Sequence, residues 1–148
     1  MQRFAADIIK NALVVHLTFL LTRTHGGGKV WPRDRDARAV FEQLNRNPAI
    51  AKKMESPTDL AEARRRWNRC RADPRRKRIV DYRDKYVAHY GSPQSAPPQY
   101  RELFGFGRAT ASALEKLAHG TGVIGVSHRA QLQDRKVSAK KFWDLLAR

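Results

Sequence analysis

"SPTDLAEARRRWNRCRADPRRKRIVDY", Ser56 to Tyr82, carries two helix starts with a break between them. Ser56 can cap a helix, Pro57 suits the first helical position, and Asp59 faces the positive end of the backbone dipoles. Leu60, Ala63 and Trp67 recur at helical spacing and set an inward face. Asp73 and Pro74 then repeat the cap-and-proline signal. Because proline disfavours helical backbone at the residue before it, the pattern predicts a new helix or a sharp bend at Asp73. That helix runs from Pro74 to about His89. Ile79, Tyr82 and Tyr86 share one of its faces, and Val80 and Val87 a neighbouring one. "GSPQSAPP" (Gly91 to Pro98) cannot continue it and reads as a loop.

The pattern stays helical on both sides of this stretch. A first helix from about Gln2 to Thr24 carries Phe4, Ile8, Val15, Leu17, Leu20 and Leu21. This stripe is broad enough to predict burial over much of the circumference. Within it, "ALVVHLTFLL" (Ala12 to Leu21) is only ten residues long and is interrupted by His16. A spanning helix needs about 20 apolar residues, so a core helix is expected here and no membrane segment. Gly26 to Gly28 end the helix. "GGGK" lacks the spacing of a phosphate loop and has no strand before it, so it reads as a turn. A second helix follows, capped by Asp34 or Asp36, with Ala37, Val40, Phe41 and Leu44 on one face and Pro48 as its boundary. A helix over about Gln99 to His119 should turn Tyr100, Leu103, Phe104, Ala111 and Leu114 inward. Gly105 and Gly107 weaken its first half and mark close packing or a kink. "GVIGV" (Gly122 to Val126) could be a short strand but has no sheet to join. Ser138 should cap a terminal amphipathic helix carrying Phe142, Trp143, Leu145 and Leu146. There is no internal repeat. The expected architecture is a single all-α domain over residues 1–148, an up-and-down bundle of about five or six helices.

Charge narrows the partners. The 148 residues hold 30 Lys and Arg against 14 Asp and Glu, for a net charge of +16. Most of the excess is arginine, whose planar fork suits phosphate. Such a field attracts polyanions, nucleic acid first among them. Between Arg64 and Arg78, nine of fifteen residues are Lys or Arg, and Asp73 is the only acid. A solvated helix face normally mixes signs, so this run is expected to track phosphates, with Arg75, Arg76, Lys77 and Arg78 at its end and Lys85 beyond. Cys70 is alone, which excludes an intramolecular disulfide framework and fits a reducing cytoplasm. His16, His25, His89, His119 and His128 show no tight metal-binding spacing. No metal and no cofactor are expected.

The run leads into "RDKYVAHYGSP" (Arg83 to Pro93). Arg83 and His89 are six residues apart, roughly 240° around an ideal helix, and do not share a face. They can converge if the helix loosens before His89, or if a second copy brings its own pair alongside. The bland alternative is that Arg83 pairs with a nearby acid and His89 caps carbonyls at the helix end.

An arginine, a polar residue directly after it, four further residues and a histidine near a helix end resemble the signature of the HEPN superfamily. "RIVDYRDKYVAH" is similar to its abortive-infection subgroup. The resemblance implies a dimeric, metal-independent endoribonuclease, a toxin or phage-defence effector with RNA as substrate. It also implies a cognate antitoxin or larger defence assembly as partner. Arg83, Asp84 and His89 would then be the catalytic residues, with Tyr90 placed to touch a base or sugar. The chemistry is consistent with these residue types. RNA supplies its own 2′-hydroxyl nucleophile, histidine transfers protons near neutral pH, and arginine holds a phosphate with fixed charge. A catalytically silent helical module that binds RNA or nucleotide is the second reading. A DNA-binding protein is the third, without a convincing helix-turn-helix to support it.

Overall fold

The computed structural model describes residues 2–25, 36–88 and 97–123, together with 133, 135–141 and 144. Among these the chain is all-helical. In order come α1 (Gln2–His25), α2 (Ala37–Arg46), α3 (Pro48–Lys52), α4 (Pro57–Ala72), α5 (Pro74–Tyr82) and α6 (Tyr100–Thr121). From Arg83 to Ala88 the end of α5 widens into a π-helical segment.

The helix starts use the chemistry written in the sequence. The Ala39 amide donates to Asp36 Oδ1 at 2.8 Å, so Asp36 caps α2. The Asp59 amide donates to Ser56 Oγ at 3.2 Å. Asp73 ends α4 in an extended conformation and caps α5, accepting from the Arg75 amide at 2.9 Å. One residue thus performs the break that Asp73–Pro74 predicts. The α6 helix opens with the Gln99 amide donating to Glu102 Oε2 at 3.0 Å and closes on Gly122 at φ 75°. Only glycine adopts that left-handed backbone without steric cost.

Side-chain pairs fix the directions. Going up the chain from Ser56 to Arg78, partners on α6 run down it. The Ser56 amide donates to the Gly120 carbonyl at 3.1 Å. Lys116 Nζ reaches Asp59 Oδ1 at 2.7 Å. Arg66 donates to Ser112 Oγ, and Arg78 Nη2 pairs with Glu102 Oε1 at 2.7 Å. The α4–α5 arm is therefore antiparallel to α6. The first helix runs alongside α6 in the same direction: Leu13 lies by Tyr100 and Phe104, Leu17 and Leu21 by Gly107, and His25 by Thr110. An up-down-up arrangement of α1, α4–α5 and α6 forms the centre, and α2 packs Phe41 against Ala63 and Trp67 of α4 and Ala113 of α6.

Two apolar clusters fill it. Leu21, Cys70, Ile79, Leu103 and Phe106 make one, and Phe41, Ala63, Trp67 and Ala113 the other. His25, 2% exposed, joins them by stacking on Trp67 and leaning on Phe106.

Several expectations about faces are corrected. Ile8 and Leu20 are about half exposed, as are Leu13 and Phe19. The inner face of α1 keeps Leu21, with Leu17 packed against the core, as the stripe predicts, and adds Thr18, Thr22 and His25. Val40 points outward at 40% exposure while Phe41 and Leu44 are buried. Pro48 does not merely bound α2; it opens α3, where a missing N–H costs nothing. Tyr100 and Phe104 face solvent, and Leu103 and Phe106 take the core side of α6. The chain is already helical at Arg135, so Ser138 lies inside that helical stretch and does not start it. The turn at Gly26 to Gly28, most of "GVIGV" and the Phe142, Trp143, Leu145 and Leu146 face lie outside the described residues. Among the described residues, no helix is long and apolar enough to cross a membrane.

Candidate nucleic-acid cleavage site

The candidate site is built on the α5 arm. Asp73 and Arg75 lock its start. Arg75 Nε donates to both Asp73 oxygens at 2.9 and 3.0 Å, and Nη2 reaches Oδ2 at 2.5 Å. That clamp holds the Asp73 carboxyl below the usual carboxylate range. The other Arg75 nitrogen, Nη1, crosses Gly105, where a Cβ would sit 2.7 Å away. Gly105 thus lets the tip of the Arg75 side chain lie close against α6. Glu102 accepts the Gln99 amide with one oxygen and Arg78 with the other, tying the first turn of α6 to α5.

The six residues expected to contact RNA are thus in different situations. Arg75 and Arg78 are engaged by carboxylates of their own chain. Arg76 is half-buried and has partners within the chain. Lys77 and Lys85 are exposed, and Tyr90 lies outside the described residues. On α4, Arg69 and Arg71 are exposed, and Arg65 is exposed though paired with Glu62 at 2.5 Å. The basic run does present cations to solvent, but fewer than its composition implies.

The helix changes character at Arg83. Its amide donates to the carbonyls of both Ile79 and Val80, and the next turns are π-helical through Ala88. Such widened turns are rare and concentrate at functional sites. Arg83 and Asp84 meet there. Arg83 Nε is 2.5 Å from Asp84 Oδ1, with side chains 19% and 44% exposed. The Nε–H does not point along that line, so the contact is an ion pair without an aligned hydrogen bond. Asp84 meets the fork at Nε, and the guanidinium carries four further N–H donors on its two Nη groups.

His89 lies outside the described residues. Spacing alone constrains how Arg83 can meet a residue six positions on. An α-helix separates the two by roughly 240°, and a π-helix of roughly 4.4 residues per turn by about 130°. Loosening the helix therefore does not by itself bring them onto one face.

Sequence reasoning missed one feature. Tyr100, Arg101, Phe104 and Arg108 form an exposed row on α6. Its signal was the i, i+4, i+8 spacing of Tyr100, Phe104 and Arg108.

No protein-family model, curated protein or solved structure matches this chain.

Proposed function

We propose that the chain is a metal-independent endoribonuclease of HEPN type, acting as a homodimer in the cytoplasm. The supporting observation is the Arg83–Asp84 pair in a widened helical turn at the end of a basic arm. Asp84 orients Arg83, whose remaining donors take a non-bridging phosphate oxygen and stabilise charge developing there. His89 serves proton transfer. The 2′-oxygen forms a bond to phosphorus as its proton leaves, the P–O5′ bond breaks, and the 5′-oxygen receives a proton. The products are a 2′,3′-cyclic phosphate and a 5′-hydroxyl end.

A second copy answers the angular problem, because its Arg83 or His89 need not share a face with the first. The outer side of α1 offers a surface for it. Ile8, Phe19 and Leu20 are about half exposed there, and from Asn11 to Thr22 the sequence has no Lys, Arg, Asp or Glu. A closed twofold pair is the commonest homo-oligomer. An enzyme that cuts RNA in its own cell needs restraint, so a cognate antitoxin or defence assembly belongs to this reading.

The experiment is RNA incubation in EDTA with end-group analysis. Wild type should yield cyclic-phosphate ends, with Arg83→Ala and His89→Ala each losing cleavage about 10²- to 10⁴-fold. One observation favours a silent RNA-binding module: Arg83 is four-fifths buried and already has a carboxylate partner. Binding without cleavage by the wild type would select that module.

A further inference from the structure

The first two turns of α6 hold two aromatic rings out of the core. Tyr100 is 50% and Phe104 45% exposed. Arg101 and Arg108 are exposed beside them, and neither makes an ion pair among the described residues. On an α-helix these four residues fall within an arc of about 100°. Across from them, Leu13 and Lys10 of α1 complete an open depression of about 360 Å³. The Lys10 ammonium is 3.8 Å from Asp7, a loose contact between largely exposed groups. The whole row sits near the candidate cleavage site, since Arg78, five residues before Arg83, is bound to Glu102 in the first turn of α6.

Half-exposed rings alternating with exposed cations match what single-stranded nucleic acid needs. Each base offers a flat π-face, and each linkage a negative charge. A duplex keeps its bases stacked inside and has no face to offer the rings. A second copy of this chain fits less well, because a self-contact here would set Lys10, Arg101 and Arg108 against like charges.

We propose that Tyr100 and Phe104, flanked by Lys10, Arg101 and Arg108, form a platform on which two bases of a single-stranded RNA stack. The two rings are one turn apart, about 6 Å along the axis. Phosphates between the bases meet the flanking cations. The choice of RNA rests on the ribonuclease reading; the single-stranded polyanion is fixed by the row itself. The platform lets the enzyme hold unpaired RNA next to Arg83 and reject duplex.

The test is fluorescence anisotropy with two labelled strands of equal length. One is a 2′-O-methyl oligoadenylate, which has no free 2′-hydroxyl and is not consumed. The other is an abasic deoxyribose-phosphate strand, with the same charge and no bases. Tyr100→Ala and Phe104→Ala should each weaken the oligoadenylate about five- to hundredfold and leave the abasic strand unchanged. Tyr100→Phe should keep full affinity. Arg101→Ala and Arg108→Ala should weaken both strands, each lowering the slope of log K against log salt by about 0.7. No loss with the alanine variants, or equal loss on both strands, overturns the platform. So does a fall in the molar mass of those variants by light scattering, which would make this face a contact between copies. Arg83→Ala separates the two readings, because it should abolish cleavage while, as the loss of one phosphate contact and no ring, it weakens the oligoadenylate and the abasic strand alike. A wild type that binds through Tyr100 and Phe104 but never cuts RNA removes the nuclease and leaves the platform standing.

Discussion

His25 lies face to face with Trp67, their ring centroids 4.4 Å apart and their planes within 7° of parallel. The last residue of α1 is thereby fastened into the middle of the bundle. Phe41 stacks on Trp67 as well, at 4.6 Å, and His25 Nε2 is 2.8 Å from Thr110 Oγ1. A ring in this position joins the two apolar clusters only while it is uncharged.

That requirement makes stability depend on pH. Burial, then the positive charges of Arg76 and Arg71, lower the His25 pKa to about 4 from an ordinary 6.5. Between those values the unfolded chain binds a proton that the folded chain does not. The contribution is therefore complete above about pH 6.5 and is lost as pH falls toward 4, by about 3 kcal/mol in total. Urea unfolding at pH 7.5, 5.5 and 4.5 should show this decline. His25→Leu should remove most of the slope within that window, and an unchanged slope would refute the assignment.

Gly120 makes a second stability prediction. A Cβ there would come within 2.6 Å of Leu60 Cγ and 2.9 Å of the Leu60 backbone nitrogen. Backbone cannot swing aside as a side-chain tip can. Alanine gains up to about 1 kcal/mol in helix propensity, but overpacking costs about 1–3 kcal/mol. Gly120→Ala should therefore lower stability. Gly107 is the internal control, since its added Cβ would meet Leu17 Cδ1 at an ordinary 3.8 Å. Gly107→Ala should be neutral or stabilising by up to about 1 kcal/mol. Thermal unfolding of the two variants checks the order, and the reverse order would contradict the packing described for α4 and α6.

How far the sequence could be read depended on whether the deciding physics was local. The bend at Asp73 was readable, because a cap and a proline act on their own backbone. So was the Ser56 cap, while the cap of α2 was narrowed to Asp34 or Asp36 and the structure shows Asp36. Helical periodicity, in contrast, defines a stripe but not its phase when a helix carries apolar residues on two sides. On α6, the stripe took in Tyr100 and Phe104 with Leu103 and left out Phe106, and only the positions of α1 and α4 decide that Leu103 and Phe106 are the core side. The same ambiguity placed Ile8 and Leu20 of α1 inward. The fates of Arg75 and Arg78 were hidden for a related reason. Asp73 lies two residues from Arg75, but Glu102 comes from a distant helix, and composition does not show which cations are neutralised. The π-helical turn at Arg83 is a change of hydrogen-bond register, which residue types alone do not announce. The adjacency of Arg83 and Asp84 was plain, and their ion pair is the pairing with a nearby acid that the residues offered as the alternative.

The central claim is that Arg83 and His89 act on one phosphodiester from two copies of the chain. Subunit complementation tests it most directly. Arg83→Ala and His89→Ala chains, carrying different affinity tags, are co-expressed and the mixed dimer is isolated by sequential capture. Each mutant homodimer should be inactive on RNA in EDTA, while the mixed dimer, with one arginine and one histidine left to share a site, should cleave at a measurable fraction of the wild-type rate. A mixed dimer as inactive as its parents, beside an active wild type, would contradict the shared site.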